Sequence, residues 1–261
     1  MSTVFVTLTD KSYHSKAIRT IRELQVHGKW DGDIVLIAVD FTPDPIRGVR
    51  IHPVSHINTD NLLEQFRQHP IQAMPDNRHF GKLYQWDKLQ VFTNYFRQWD
   101  RVVFIDAGLR VFDVVQPLLD LPWKHKFLAP DDSDPYDNGS RFGRQLDMEA
   151  NPDVTKKLFQ NYHRSICTER YFNNPIFVFD TSIIGKNVTF EQLERMMNEY
   201  PIFMCNETGL MNLMFNYELR MWSPFPQRVG KKYLFGWAEN NYREGPDWGD
   251  FHFIKYSLTH P

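Results

Sequence analysis

The sequence lacks the features that mark membrane, secreted and disulfide-rich proteins. It has only two cysteines, Cys167 and Cys205, and their spacing gives neither a metal-binding pattern nor a disulfide framework. Such sparse cysteine suits a reducing compartment. No apolar run approaches the roughly 20 residues of a transmembrane helix, and the amino terminus lacks the basic lead-in of a signal peptide. We therefore expect a cytoplasmic protein without a transmembrane segment.

The sequence also lacks the motifs of several large enzyme classes. Its net charge is only −2, which gives no electrostatic signal for binding nucleic acid. There is no G-x-G-x-x-G after the first apolar run, no G-x-x-x-x-G-K-[ST], no G-x-S-x-G and no H-E-x-x-H. These absences weaken the dehydrogenase, nucleoside triphosphatase, α/β-hydrolase and metalloprotease interpretations.

What the first half does contain is an alternation of buried-strand and helix patterns. Apolar runs at 3–8, 33–40 and 102–105 predict strands, and an amphipathic segment follows the first run. The segment 82–96 places four aromatic or aliphatic residues on one helical face, namely Trp86, Leu89, Phe92 and Phe96. This order predicts an α/β fold with a central mixed, mostly parallel sheet.

The second half has weaker periodicity and more turn-forming residues. Residues 131–143 are crowded with Asp, Pro, Asn, Gly and Ser, and we expect them to form a loop that borders the acceptor side of the site and is mobile when no ligand is bound. Residues 176–179 predict another strand, and Thr189 and Gln192 form the capping box of a later helix. No linker separates the halves, so we expect one domain over 1–261.

The stretch "RVVFIDAGLRVF" at 101–112 points to a binding site. A buried strand here ends on a carboxylate, Asp106, and ligands of open α/β sheets lie outside the carboxyl ends of the strands. Other polar residues predicted at such ends, or near them, are Thr7, Thr9, Asp10, Asn173, Asn174 and His252. Each has an ordinary alternative: Asp106 can cap a turn, the asparagines can form one, and His252 can be a core histidine. Their order and context together favour a site.

That combination resembles the GT-A glycosyltransferases, and in particular glycosyltransferase family 8, the glycogenin and bacterial galactosyltransferase group. The family's "xVLYLDADxLV" is similar to the stretch around Asp106, and its "PLFDL" is similar to "PLLDL" at 117–121. Its "YFNSGVxVxD" resembles "YFNNPIFVFD" at 171–180, and "DQGLLN" resembles "ETGLMN" at 207–212. A late "xHFxG" resembles "FHFIKY" at 251–256. The resemblance implies a Rossmann-like domain with a nucleotide-binding half, 1–112, and a sugar- and acceptor-binding half, 113–261.

The resemblance also implies roles for particular residues. The nucleotide-sugar donor would contact Thr7, Thr9, Asp10, Tyr13, Lys88, Asp106, Asn173 and Lys255. Asn173 and Asn174 would orient the sugar hydroxyls, and Glu207 would lie near the reacting face. Asp106, Asn174 and Glu207 are therefore the predicted catalytic residues, although no definite step falls to Glu207.

One departure from the family concerns its metal motif. Gly108 stands where the family's Asp-x-Asp has its second carboxylate. The resemblance still implies an Mn²⁺ or Mg²⁺ ion held by Asp106 and His252, but with fewer oxygen ligands than such ions prefer we expect weak affinity. Should the ion be absent, basic residues must neutralise the leaving group, the candidates being Lys88, Lys255, Arg228, Lys231 and Lys232.

The sequence thus predicts a glycosyltransferase that moves a sugar from a nucleotide-diphosphate donor, with UDP-sugar favoured, to a hydroxyl of a glycan, protein or small molecule. Two alternatives stay open. One is a noncatalytic protein that binds sugar nucleotides or glycans and has lost its metal motif. The other is a nucleotidyltransferase, which the lack of a basic, Gly-rich loop after the first strand disfavours.

Overall fold

The computed structural model describes residues 1–72, 77–132, 140–237 and 248–256. Within these ranges the strands are β1 (Thr3–Thr9), β2 (Asp33–Val39), β3 (Arg50–Val54), β4 (Arg101–Ile105), β5 (Leu109–Val111), β6 (Phe127–Ala129), β7 (Ile176–Asp180), β8 (Trp222–Pro224), β9 (Arg228–Val229), β10 (Lys232–Trp237) and β11 (Phe251–Lys255). The α-helices are α1 (His14–Val26), α2 (Asp60–Gln68), α3 (Arg78–Gly81), α4 (Gln116–Leu119), α5 (Pro152–Asn161), α6 (Phe190–Glu199) and α7 (Glu207–Met211). No helix in these ranges is long and apolar enough to cross a membrane.

A seven-stranded sheet with the order β3-β2-β1-β4-β7-β6-β8 forms the centre of the molecule. The pairs among β3, β2, β1 and β4 are all parallel, whereas β7 runs antiparallel to both β4 and β6. This confirms the predicted α/β fold with a mixed, mostly parallel sheet. Strands from both predicted halves, 1–112 and 113–261, share the sheet; the functional division between the halves stays a prediction.

The apolar core lies on both faces of this sheet because the central strands are buried on both sides. Along β4, Val102 and Phe104 face one hydrophobic cluster, and Val103 and Ile105 face another. All five residues of β4 are buried. Such strands read as continuous apolar runs, which is the pattern that the sequence shows at 102–105.

The segment that leads into β4 differs from the sequence prediction. It forms 3₁₀ helices at Leu83–Phe92 and Asn94–Gln98, and the four residues expected on one face are all buried. Three-residue spacing from Trp86 to Leu89 to Phe92 matches the three residues per turn of a 3₁₀ helix, so a tighter helix keeps these side chains on the core side. The burial prediction is therefore right and the helix type is wrong.

A second sheet, with the order β5-β11-β10-β9, lies beside the carboxyl end of β4. Its strand β5 begins at Leu109, immediately after the turn that contains Asp106, and pairs antiparallel with β11. This pairing brings the last described strand next to the turn. The predicted mobile loop at 131–143 falls mainly on residues 133–139, which lie outside the described residues; Phe142 within it is buried.

Candidate functional site

The predicted site residues meet at one edge of the central sheet. Strands β1 and β4 are parallel neighbours, with Phe5 opposite Val103, so their carboxyl ends lie side by side. Strand β7 is antiparallel to β4, with Ile176 opposite Ile105, and its amino end therefore reaches the same edge. The Asp106 amide donates a hydrogen bond to the Pro175 carbonyl at 2.8 Å, which closes this junction.

A cavity of about 310 Å³ opens at this edge. Most of the predicted site residues line it, namely Thr9, Asp10, Tyr13, Lys88, Asp106, Asn173, Asn174, Glu207 and Lys255. Thr7 and His252 are not among its lining residues. The side chain of Thr7 is buried inside the sheet, and its hydroxyl has no hydrogen-bond partner within the described residues. What each lining residue binds stays a prediction.

Lys88 is the centre of the polar network in this cavity. Its Nζ lies 3.0 Å from Asp106 Oδ1 and 2.8 Å from Glu207 Oε1, and it donates to the Asn174 carbonyl at 3.2 Å. Burial alone would lower the pKa of Lys88, but the carboxylates of Asp106 and Glu207 outweigh that effect and raise this pKa. Lys88 is therefore a permanent cation that joins β4, β7 and α7.

The position of Lys88 depends on the residue before it. Asp87 is completely buried; it accepts hydrogen bonds from the Ile57 amide at 2.9 Å and from Gln90 Nε2 at 2.7 Å, and it pairs with His56 Nδ1 at 2.5 Å. A buried carboxylate with this many partners fixes the 3₁₀ helix against the segment after β3. Sequence reasoning did not single out Asp87 or His56, whose partnership spans 31 residues of chain.

Asp106 is held by a second lysine as well. Lys255 Nζ lies 3.2 Å from Asp106 Oδ2 and donates to the Ala107 carbonyl at 3.2 Å. Burial would raise the pKa of Asp106, but the charges of Lys255 and Lys88 outweigh it and hold this pKa below its usual value. Asp106 is thus ionised at neutral pH, with an ammonium group on each carboxylate oxygen.

Asn174 and Glu207, the two residues for which the resemblance predicts a place near the sugar, lie together in one corner of the cavity. Asn174 Nδ2 donates to Glu207 Oε1 at 3.1 Å, and Asn174 Oδ1 accepts from the Thr208 hydroxyl at 2.9 Å and from Lys88 Nζ at 3.2 Å. Glu207 Oε2 is buried and has no hydrogen-bond partner within the described residues. A buried carboxylate oxygen without a hydrogen-bond donor costs free energy. A ligand hydroxyl that donates a hydrogen bond to this atom would therefore bind favourably.

The backbone conformation at position 108 favours glycine. Its φ is +88°, a conformation that side chains rarely adopt, and a Cβ there would lie 3.6 Å from Lys16 Cδ. The Gly108 amide donates to the Thr20 hydroxyl at 3.0 Å, and that hydroxyl donates to the Leu109 carbonyl at 2.8 Å. The turn after β4 is therefore fixed to α1 in a shape that disfavours an aspartate at 108.

His252 does not join Asp106, contrary to the metal prediction. Its Nδ1 donates to the Val114 carbonyl at 3.1 Å and lies 3.8 Å from Asp113 Oδ2, which also accepts from Lys232 Nζ at 2.6 Å. Burial lowers the pKa of His252, so the ring is neutral at pH 7. Residues 252 and 255 are an odd number apart on β11 and so point to opposite faces of the strand.

The predicted divalent ion therefore does not fit the residues present. Both oxygens of Asp106 are taken by lysines, position 108 has no carboxylate, and His252 is directed elsewhere. Within the described ranges, no three His, Cys, Asp or Glu side chains gather in a way that could hold a metal. We derive no catalytic step through a metal ion.

The cavity is markedly more basic than the chain as a whole. Among the described residues that line it, six are basic, Lys16, Arg19, Arg78, Lys82, Lys88 and Lys255, and three are acidic, Asp10, Asp106 and Glu207. The whole chain, by contrast, has a net charge of −2. This distribution favours an anionic ligand.

Several of these basic residues were missed in the sequence, and some predicted ones lie elsewhere. Lys16 and Arg19 follow Tyr13 at intervals of three on α1, a spacing that already indicates a shared helix face. Of the other predicted cations, Lys232 pairs with Asp113, and the Arg228 guanidinium lies 3.7 Å from the Tyr233 ring centre. Arg228, Lys231 and Lys232 are all absent from the residues that line the cavity.

The sheet order, with the reversed β7 and the site at the ends of β1 and β4, defines the GT-A fold of glycosyltransferases. An active-site mutant of LgtC has a TM-score of 0.63 at 13% identity, covering 98% of this chain and 88% of that chain. Galactosyltransferase LgtC in complex with donor and acceptor sugar analogs gives 0.60 at 12%, covering 98% and 87%. Core-mannan synthase A from Aspergillus fumigatus, in its Mn/GDP form, gives 0.53 at 10%, covering 89% and 76%. No protein-family model and no curated protein sequence matches the chain.

Proposed function

We propose that the protein is a glycosyltransferase that transfers a sugar from a nucleotide-diphosphate donor, with UDP as the favoured nucleotide, to a hydroxyl acceptor. The observation that carries the proposal is the cavity at the carboxyl ends of β1 and β4. It combines six basic residues with a carboxylate and amide corner, which suits a ligand that is anionic at one end and rich in hydroxyls at the other.

The two ends of the cavity fit the two parts of such a donor. Thr9, Asp10 and Tyr13 at the end of β1 would hold the nucleoside, and Lys16 and Arg19 on the next helix would face the diphosphate. Asn173, Asn174 and Glu207 would orient the sugar, and Glu207 Oε2, which has no partner among the described residues, would accept a hydrogen bond from one of the sugar hydroxyls. The predicted acceptor is a glycan, protein or small molecule that offers a hydroxyl.

The chemistry accounts for the charges. The anomeric C–O bond breaks with its electron pair on the diphosphate oxygen, the acceptor oxygen forms the new bond to the anomeric carbon, and its proton passes to the departing phosphate. Negative charge therefore grows on the diphosphate in the transition state. Fixed cations beside it stabilise that state more than the bound donor.

Donor binding and turnover test the proposal directly. We expect calorimetry to detect binding of one of the nucleotides UDP, GDP or ADP, with UDP tightest, and we expect slow release of free sugar from the matching sugar nucleotide. Binding without any donor hydrolysis or transfer would favour the noncatalytic alternative. Release of pyrophosphate from a nucleoside triphosphate would favour the nucleotidyltransferase alternative. The Lys157→Gln variant, changed on the exposed side of α5, is the control.

We also propose that the protein works in the cytoplasm as one domain, with donor-binding residues mostly in 1–112 and sugar and acceptor residues mostly in 113–261. Cys167 and Cys205 are both free thiols, which supports a reducing compartment. Fractionation of cells that express the tagged protein tests the location. A 1–112 fragment cannot be used to test the division into two halves. Strands of both segments share the central sheet, so the fragment would lack part of it.

A further inference from the structure

Three features at the end of β4 disfavour a metal ion and leave lysine ammonium groups beside Asp106. Gly108 supplies no carboxylate, and its φ of +88° disfavours one. His252 donates to the Val114 carbonyl instead of facing the cavity. Lys88 and Lys255 occupy the two oxygens of Asp106.

Lys255 contacts the oxygen atoms beside Asp106 that a divalent metal ion would need as ligands. Its ammonium lies 3.2 Å from a carboxylate oxygen of Asp106 and 3.2 Å from the carbonyl of Ala107, and carboxylate and carbonyl oxygens are the ligands that Mg²⁺ and Mn²⁺ prefer. Its side chain is 18% exposed, whereas that of Lys88 is 7% exposed. Of the two ammonium groups, Lys255 is therefore the one more open to a ligand.

The environment supplies further positive charge where Lys255 meets the cavity. Lys16 also lines it, with its Nζ 5.0 Å from the Tyr13 ring centre, and its stem passes the turn at Gly108. Lys88 lies between two carboxylates, Asp106 and Glu207, whereas Lys255 contacts only Asp106 among the described carboxylates, and it shares that group with Lys88. The two lysines therefore differ in role: Lys88 neutralises the buried carboxylates, and Lys255 with Lys16 faces the anion.

We propose, resting on the proposed function, that Lys255 is a catalytic residue that replaces the divalent ion: its ammonium, aided by Lys16, binds the donor diphosphate and stabilises the charge that develops on it. The electron pair of the broken anomeric C–O bond stays on the diphosphate oxygen, and the lysine transfers no proton. The donor site therefore works without a metal.

Nucleotide calorimetry in EDTA and in Mn²⁺ tests this without any substitution. We expect UDP to bind the full chain with the same affinity in both, within about twofold, and donor hydrolysis to be indifferent to EDTA. Lys255→Gln should weaken UDP binding about tenfold or more, because it removes a charge from an enclosed anion site, while Lys255→Arg should keep most of the affinity. Lys157→Gln should behave as wild type. Circular dichroism and thermal melting confirm that each variant is folded.

The outcomes separate this inference from the function on which it rests. If UDP binds only with Mn²⁺, the inference is overturned and the glycosyltransferase proposal stands. The inference is likewise overturned, and the proposed function kept, if UDP binds in EDTA but folded Lys255→Gln binds it as tightly as wild type. If UDP, GDP and ADP all fail to bind in either condition, the proposed function fails and takes the inference with it.

Discussion

Two lysine–aspartate pairs lie near β11 and have different surroundings, Lys255–Asp106 beside the cavity and Lys232–Asp113 beside His252. Lys255 pairs with Asp106, which Lys88 also contacts. Lys232 pairs with Asp113 beside His252, outside the cavity. The same two charged groups line a cavity in one place and lie outside it in the other. The two pairs differ in burial and in the third group beside the aspartate, which is Lys88 at Asp106 and His252 at Asp113.

Removing the buried cation should have the largest effect. Lys88→Met leaves Asp106 and Glu207 facing each other without their shared counter-ion, and losing one partner of a buried ion pair costs about 3–5 kcal/mol. We expect a loss of that order in the free energy of unfolding, measured with urea, together with loss of donor turnover. Lys157→Met, at a position 53% exposed, is the matched control and should change stability by about 0.5 kcal/mol or less. An equal loss of stability in Lys88→Met and Lys157→Met would show that the buried ion pair of Lys88 contributes no more than an exposed one.

The two aspartates should differ sharply in their effect on turnover. Asp106→Asn removes the carboxylate that positions Lys88 and Lys255, and we expect donor turnover to fall about 100-fold or more. Asp113→Asn breaks the pair with Lys232 outside the cavity and should leave turnover within about twofold, since exposed pairs contribute little. Steady-state kinetics on both folded variants give the ratio. Similar losses in the two would show that the cavity contact is not special.

Alkaline pH should expose the role of Lys255. Burial lowers the pKa of Lys255, and the attraction of Asp106 only partly offsets this effect. The protonated form holds the diphosphate in this proposal, so affinity for UDP should fall as pH rises, and the fall should begin below the ordinary lysine pKa of about 10.4. Lys255→Arg should delay this fall, because a guanidinium stays charged above that range. A wild-type affinity that rises with pH would contradict the assignment.

The smallest effect concerns the turn at Gly108, between β4 and β5. Gly108→Ala places a side chain at φ +88° and should lower the free energy of unfolding by about 1 kcal/mol, as measured by urea denaturation. Gly108→Asp should lose a similar amount without making donor turnover dependent on Mn²⁺. A gain of metal dependence in Gly108→Asp would mean that Lys255 yields its place to an ion. Gly230→Ala, with φ +62° and no atom near its Cβ, controls for backbone strain alone.

Much of the fold and part of the site were predictable from local sequence. The unbroken apolar run 102–105 predicted a strand buried on both faces, and Asp106 after it predicted a polar group at the sheet edge; both are observed. Thr189 caps its helix by accepting from the Gln192 amide, as predicted. These signals work because each depends on neighbours within a few residues.

The rest depends on contacts between distant parts of the chain. That Lys88 lies between Asp106 and Glu207 follows from the reversal of β7 and from the His56–Asp87 pair, neither of which leaves a local pattern. For His252 a signal was present: it is three residues from Lys255 on one strand, so only one of the two can face the cavity. Matching the family's late histidine took precedence over that periodicity, so His252 was expected beside Asp106, whereas its Nδ1 bonds to the Val114 carbonyl.

The contact between Lys255 and Ala107 joins residues 148 positions apart. Closing so long a loop is entropically costly, and contacts of long sequence range slow folding. The contact depends on the pairing of β11 with β5, so an intermediate without that pairing would have the β4 carboxylate without its second counter-charge. Under the proposed function, we expect such an intermediate to be compact yet unable to retain the donor.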